Sequence, residues 1–171
     1  MPIIYKTLED LCARALRLGA SEAKAIRARD VYVRHWVRLK CQYGCGGFGE
    51  RLTCPPYSPT PEEMRKVIDE YSSAILLRFR PDSARTHEVV AKLEKEAFLS
   101  GYYSAFGLAS GPCSFCRKCN LRECKHPRLA RPSMEACGID VYATARGAGF
   151  QIEVVRTRRE TPSYFGLLLL M

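Results

Sequence analysis

The sequence predicts an α/β fold: a single compact domain with a mixed sheet flanked by helices and two cysteine-rich metal-binding loops. Segments with strand-like hydrophobic patterns alternate with segments of helical periodicity, which is typical of the α/β class. No internal repeat or linker interrupts residues 1–171, and a chain of this length can bury a substantial core without disulfide bonds. We therefore expect one metal-binding domain over residues 1–171.

Helices are predicted where a capping signal precedes a helical apolar period. Thr7 is followed three residues later by Asp10, and Thr60 by Glu63, so both pairs can form a capping box. Gly19 is placed to end the first of these helices. Apolar spacing predicts two more helices downstream, of which the last is ended by glycines. The predicted helices cover residues 8–18, 61–71, 83–100 and 139–146.

Strands are predicted from alternating or continuous apolar runs. The clearest alternation spans residues 31–40, with valines and a leucine on one side and a basic, aromatic face on the other. That outer face consists of Tyr32, Arg34, Trp36, Arg38 and Lys40. The predicted strands cover residues 23–28, 31–40, 74–79, 103–109, 152–155 and 164–170. Because these strands alternate with helices, we expect some of them to pair in parallel.

Composition and charge narrow the functional classes. Apolar residues make up 47% of the chain, which excludes wholesale disorder, and the longest apolar run, residues 165–171, is too short to cross a bilayer. The N-terminus has neither the basic region nor the cleavage site of a secretory signal, so we expect a cytoplasmic protein without membrane association. The formal net charge of +9 favours acidic partners, whether proteins or nucleic acid.

Nine cysteines are the most informative feature of the composition. An odd number in a chain without a secretory signal argues against a disulfide framework and favours metal binding. Cys12 lies on the apolar stripe of the first predicted helix, so we interpret it as a small buried hydrophobic residue. The other eight are the candidate metal ligands: Cys41, Cys45, Cys54, Cys113, Cys116, Cys119, Cys124 and Cys137.

The spacing of these ligands favours iron–sulfur clusters over zinc. Residues 113–119 contain the run C-x2-C-x2-C, as in bacterial ferredoxins, whereas zinc sites more often use two separated C-x2-C pairs. Eight cysteines are the ligand complement of two [4Fe–4S] clusters, with zinc as the alternative metal. Each loop supplies three ligands, and either of Cys124 and Cys137 can complete either cluster. His126 could replace a cysteine in the second loop, but the cysteines already suffice.

Several stretches of the sequence resemble a known family. They are Cys41-Gln-Tyr-Gly-Cys45 with Leu52-Thr-Cys54-Pro-Pro, then Gly111-Pro-Cys113-Ser-Phe-Cys116-Arg-Lys-Cys119, residues 130–140 and Phe165-Gly-Leu-Leu. The sequence resembles the predicted metal-binding proteins of anaerobic archaea and bacteria, a family of unknown function. The resemblance implies that the same eight cysteines are the metal ligands, and an anaerobic origin suits oxygen-sensitive clusters.

Three functions are compatible with these residues. The leading hypothesis is a cytosolic iron–sulfur protein that transfers electrons to or from a redox protein partner, which its basic surface would attract. The alternative is an enzyme in which one [4Fe–4S] cluster, held by three cysteines only, leaves an iron open to substrate. A further alternative is a zinc-stabilised nucleic-acid-binding module, based on the basic, aromatic face of residues 31–40; no nucleic-acid motif favours it.

Other side chains carry less information. Asp140 is the best carboxylate candidate for an enzyme, although its expected role is to cap the helix that follows. We expect His35 to point to the core or to an edge of its strand, and His87 to be exposed at the start of a helix. Neither a P-loop nor a G-x-G-x-x-G motif is present, and no hydrolase signature is recognisable. The oligomeric state is left open.

Overall fold

A four-stranded sheet forms the centre of the computed structural model, which describes residues 4–81, 83 and 85–171. The strands are β1 (Glu22–Arg27), β2 (Ser73–Phe79), β3 (Phe106–Leu108) and β4 (Tyr164–Leu170). Their order across the sheet is β1-β2-β4-β3, and every hydrogen-bonded pair is antiparallel. The α/β class is confirmed, whereas the expected mixed pairing is wrong. β2 and β3 do run parallel to each other, but β4 lies between them and is antiparallel to both.

Helices cover both faces of this sheet. The described residues form five α-helices: α1 (Leu8–Leu18), α2 (Trp36–Gly44), α3 (Pro61–Asp69), α4 (Thr86–Leu99) and α5 (Val141–Gly147). Successive residues of β2 and β4 point to opposite faces and so divide the core into two hydrophobic clusters. Ile75 and Leu168 pack with α1 and α4 on one face, while Leu76 and Leu167 pack with α3 and α5 on the other.

Capping residues set the starts of two helices as the sequence predicts. The Thr7 hydroxyl accepts a hydrogen bond from the Asp10 N–H at 3.1 Å, and the Asp10 carboxylate accepts one from the Thr7 N–H at 3.2 Å. Thr60 and Glu63 repeat this arrangement at the start of α3. Gly19 ends α1 with a φ of 116°, a left-handed conformation that favours glycine. Each capping box satisfies backbone donors that the helix leaves unpaired.

The predicted strand over residues 31–40 is wrong. Only Val33 forms a β-bridge, with Ile139, and the chain turns into α2 from Trp36 onward. The apolar alternation is not used, because Val37 is buried while Leu39 remains 54% exposed. The basic, aromatic face therefore does not form. His35 lies outside the core, and its ring nitrogen Nδ1 is 3.3 Å from the carboxylate of Glu62.

Smaller differences concern element length. Residues 152–155 do not form the predicted strand and pair with no other strand in the described part of the chain. Ile152 is buried, but the two valines that follow it are exposed. β3 is shorter than the predicted 103–109, since Tyr103 is exposed. α4 begins at Thr86, and residue 84 of the predicted helix lies outside the described residues.

The topology brings both cysteine loops to the same region of the molecule. The first loop joins α2 to α3, and the second joins β3 to a 3₁₀ turn at Glu135–Cys137. Two backbone hydrogen bonds close the base of the second loop, from Ala109 N–H to Pro132 O at 2.8 Å and from Met134 N–H to Ala109 O at 3.0 Å. The 3₁₀ turn packs against α2 and so joins the two loops. Among the described residues, no helix combines the length and apolar character needed to cross a bilayer.

Candidate metal centre

The first cysteine loop encloses a cavity of about 230 Å³ lined by three thiols. Cys41 lies in the last turns of α2, Cys45 follows that helix directly, and Cys54 lies in the next series of turns. A β-carbon at Gly47 would lie 3.4 Å from Sγ of Cys54 and 3.6 Å from Sγ of Cys45. Glycine at this position therefore keeps the space between the thiols free. The Gly47 N–H also donates to Sγ of Cys45 at 3.4 Å, which is the type of contact that stabilises a thiolate.

Glu135 belongs to the wall of the same cavity. Its backbone carbonyl accepts a weak hydrogen bond from Sγ of Cys41 at 3.9 Å. Its side-chain Oε2 is inaccessible to solvent and has no hydrogen-bond partner among the described residues, and burial raises the pKa of this carboxyl group. Sequence reasoning missed Glu135, although it is one of two acidic residues in the stretch 130–140 that carries part of the family resemblance.

The second cysteine loop folds around a cavity of its own, which is lined by four thiols. These belong to Cys113, Cys116, Cys119 and Cys124. The free volume is about 20 Å³, far below that of the first cavity, so a cluster requires the four thiols to move outward. His126 lines this cavity as well. The structure thus groups Cys124 with the three ligands of its own loop.

The two cavities adjoin. Arg51 of the first loop lines the second cavity, and its Nη1 donates to the carbonyl oxygen of Cys116 at 3.2 Å. Pro112, which directly precedes Cys113, lines the first cavity, and its Cβ lies 3.5 Å from the position of a Gly47 β-carbon. Cys113, which lines the second cavity, therefore directly follows a residue that lines the first.

Cys137 lines neither cavity. Its side chain is 0% exposed and belongs to the hydrophobic cluster beneath α3 and α5. Burial raises its pKa to about 12, and the neighbouring Cys41 and Glu135 add to this effect. Cys137 is therefore a neutral core thiol in this structure. Of the eight predicted ligands, seven line a cavity and Cys137 lines neither of the two.

Burial also shapes the chemistry of three cavity thiols. It raises the pKa of Cys41, Cys54 and Cys113, so these groups are protonated at neutral pH when no metal is bound. A metal has to displace those protons, because the thiolate is the ligand. Cys12, outside both loops, is half-buried against the other hydrophobic cluster with a pKa raised to about 11, which agrees with a packing role.

His87 is placed differently from the sequence expectation. It is buried at 4% exposure, and its ring stacks edge-on to Phe115 of the second loop with the ring centroids 6.0 Å apart. Burial lowers the pKa of His87, and neither ring nitrogen has a hydrogen-bond partner among the described residues. Phe115 in turn contacts the ring of His126. Sequence reasoning missed this role because the helical position of His87 gave no sign that the second loop would cover it.

The chemistry of the donors fits a metal held by thiolates. Among residues 4–81, 83 and 85–171, no three His, Cys, Asp or Glu side chains converge closely enough to hold one metal ion. A tetrahedral zinc ion with Zn–S bonds of about 2.3 Å would bring its sulfurs to about 3.8 Å from one another. The first cavity has a volume of about 230 Å³ and is bordered by a glycine that leaves the space between its thiols free.

The asymmetric pair of thiol-lined loops on an α/β scaffold defines a cysteine-rich protein with the donor set of a metal-binding protein. The profile of one family, described as predicted metal-binding protein (DUF2284), matches residues 24–170. The chain belongs to this family, which confirms the resemblance noted in the sequence. Comparisons with curated proteins and with solved structures gave no significant match.

Proposed function

We propose that this protein is a cytosolic iron–sulfur protein that holds two [4Fe–4S] clusters and transfers electrons to or from a protein partner. The observation that carries the proposal is the pair of adjoining cavities, one lined by three thiols and one by four. Cysteine thiolates are the usual ligands of such clusters. Bound clusters would supply one-electron redox chemistry, while the chain supplies the ligands, their spacing and a docking surface.

The distribution of sulfurs supports clusters rather than single zinc ions. A cluster spreads its thiolate ligands over four irons, whereas zinc gathers four sulfurs around one centre. The thiols of the described residues do not converge on one centre as zinc requires. The C-x2-C-x2-C run, in contrast, lets one short segment reach three corners of a cluster. Because the second cavity has little free volume, cluster binding by the second loop is the more demanding test of the proposal.

The surface of the second loop supports an acidic partner. Five exposed cations lie in the same loop as its four thiols, and no ion pair engages any of them among the described residues; they are Arg117, Lys118, Arg122, Lys125 and Arg128. Glu123 is the one acidic residue in residues 113–131. Such a patch raises the association rate with an oppositely charged partner, and salt screens the effect.

Metal analysis after strictly anaerobic purification tests the proposal. We expect about eight irons and eight sulfides per chain, a broad visible absorption band that bleaches with dithionite, and an EPR signal of reduced clusters. Cys119→Ser should lower the iron content, whereas the matched variant Cys12→Ser, outside both loops, should not. A colourless protein that contains zinc would overturn the proposal and leave a zinc-stabilised module.

The docking surface has a separate test. Reduced anthraquinone-2,6-disulfonate, an anionic electron donor, should reduce the protein more slowly as salt concentration rises. The double variant Arg117→Glu, Lys118→Glu should react several-fold more slowly at low salt, while Arg156→Glu, Arg158→Glu, in another loop, should not. Equal rates for both variants would remove the electrostatic argument for an acidic partner.

The position of Cys137 favours a second candidate function. The first cavity contains three thiols, and the thiol that could complete its ligand set is fully buried outside it. A cluster held there by three cysteines leaves one iron open to a substrate, as in the enzyme alternative. Under this candidate, Cys137→Ala keeps the full iron content. Loss of about four irons in Cys137→Ala would show instead that Cys137 is a ligand.

A further inference from the structure

A cleft of about 580 Å³ lies beside the three-thiol cavity. It is bounded by α2, α5 and residues 152–165. Lys40 and Glu135 line both the cleft and the three-thiol cavity, so the two spaces share a wall. The volume lies within the range of about 300–1,000 Å³ that is usual for small-molecule sites. The cleft is therefore large enough for a ligand that also reaches the edge of the first cysteine site.

The body of the cleft is apolar and rich in aromatic side chains. Its lining includes Trp36, Tyr142, Tyr164 and Phe165 together with several valines and isoleucines. Trp36 is 47% exposed and Tyr142 36% exposed, so both rings are open to a ligand. Aromatic surfaces of this kind bind apolar bodies by contact area and bind cations by interaction with the ring faces.

The polar groups of the cleft are mainly acidic. Three carboxyl groups, from Glu135, Asp140 and Glu153, face one cation, Lys40. Asp140 accepts the Ala143 N–H at 2.9 Å as the cap of α5, as the sequence predicts, and Glu153 is paired with an arginine at 3.4 Å. Oε2 of Glu135 is the acceptor that has no partner among the described residues. This unpaired acceptor favours a ligand that donates a hydrogen bond over an anionic ligand that cannot.

We propose that this cleft binds a small amine with an aromatic or branched apolar body, whose ammonium group donates to Glu135 while its body packs against Trp36. Binding itself does not depend on the metal content of the chain. A reaction between the bound amine and the three-thiol centre rests on the second candidate function, because only a cluster with an open iron could react with the ammonium end of the ligand.

Benzylamine is the probe for this site, and Trp36 is the reporter. Since Trp36 is the single tryptophan, 5-fluorotryptophan gives one ¹⁹F resonance, which lies in the wall of the cleft. We expect benzylamine to shift this resonance saturably with a Kd of roughly 1 mM, as its size allows. Toluene, which has no donor, should bind at least about fivefold more weakly, and benzoate weaker still.

Two variants and a control locate the interaction. Glu135→Gln should weaken benzylamine binding at least about fivefold and leave benzyl alcohol binding unchanged, because the amide oxygen still accepts a hydrogen bond. Val155→Arg should block the cleft, whereas Leu16→Arg, on the exposed side of α1, should bind benzylamine normally. Equal shifts with toluene and benzylamine, tighter binding of benzoate, or an unaltered shift in Val155→Arg would each overturn the proposal.

The same samples separate this proposal from the function proposed above. Normal iron content without a benzylamine-induced shift overturns the ligand site and leaves the iron–sulfur function standing. Binding to a chain that contains zinc overturns the iron–sulfur function and leaves the ligand site standing. A benzylamine-induced change in the reduced EPR spectrum supports contact with the three-thiol centre, and an unchanged spectrum at saturating benzylamine refutes that contact.

Discussion

Replacement of Arg38 by methionine tests how the two parts of the first cysteine site are held together. Nη1 of Arg38 donates to the carbonyl oxygens of Pro59 at 2.7 Å and Ala136 at 2.9 Å, and it lies 3.4 Å from the hydroxyl of Ser58. One guanidinium thus links the end of the first loop to the 3₁₀ turn that carries Glu135. The Ser58 hydroxyl adds a parallel link by donating to Ala136 O at 2.7 Å.

The loss of stability follows from these contacts. A hydrogen bond to a charged group contributes about 1.5–3 kcal/mol, and two of the Arg38 contacts are short. Because the side chain is half-buried and water can partly replace it, we take the lower value for each bond and expect a loss of about 3 kcal/mol. In a chain of this size, 3 kcal/mol lowers Tm by roughly 6–12 °C.

Urea denaturation of both proteins under identical metal loading measures this loss. Arg34→Met is the matched control, because within the part of the chain that the structure describes the Arg34 guanidinium makes only a distant contact, 5.7 Å from the ring centroid of Tyr32. We expect that control to change stability by less than about 0.5 kcal/mol. A loss below about 1 kcal/mol in Arg38→Met would refute the view that Arg38 joins the loop to the turn.

Three further predictions concern backbone conformation, charge and metal. Gly138→Ala should destabilise the fold by about 2 kcal/mol or more in the same denaturation assay, since Gly138 has a φ of 79° and a β-carbon there would lie 2.7 Å from Cγ of Pro61. The control Gly44→Ala should be neutral or slightly stabilising, because a β-carbon at Gly44 would meet no atom within 4 Å. The hydrogen bond from Arg14 lowers the pKa of Glu96, so its stabilisation is present above the ordinary carboxyl pKa of about 4.3 and is lost as pH falls below that value. Glu96→Gln should therefore flatten the acid limb of a stability–pH curve, and an unchanged limb would contradict this. Removal of bound metal with a chelator should lower Tm and increase proteolysis in the two cysteine loops, because metal binding stabilises only the folded chain; an unchanged Tm would contradict it.

Local signals predicted much of the scaffold. Thr7 and Thr60 start helices because a capping box involves residues only three positions apart, which a sequence displays directly. β2 and β4 are continuous apolar runs that are buried on both faces, and their burial leaves few alternatives. The expected parallel pairing was wrong, because β4 lies between β2 and β3 and pairs antiparallel with both. This insertion of β4 was not predictable, because strand order depends on contacts distant in sequence.

Residues 31–40 show where periodicity is insufficient. Alternation of apolar and polar residues predicts a strand only when a partner strand is available, and here Val33 finds one bridge before the chain turns. α2 then packs against the 3₁₀ turn, with Val37 buried and Leu39 exposed. Tertiary contacts overrode a weak local preference.

The candidate site was predictable as a set of cysteines but not as an arrangement. Spacing alone grouped Cys113, Cys116 and Cys119, and the structure gathers them. Spacing could not distinguish Cys124 from Cys137, because their positions depend on how the second loop returns to the sheet. Glu135 and its cleft were beyond sequence reasoning, since a single glutamate carries no signal of burial.

The placement of β4 has a consequence for how the chain is made. β2 and β3 have no hydrogen bonds to each other, so the sheet cannot close until β4 has left the ribosome. Both cysteine loops precede β4 in the sequence, and their thiols therefore emerge while the scaffold beneath them is incomplete. Since chains fold largely in the order of synthesis, the ligands are displayed before they are positioned. Metal delivery to a half-finished chain would meet the seven thiols of the two loops before they are organised, so productive loading would follow synthesis of β4 rather than occur during translation.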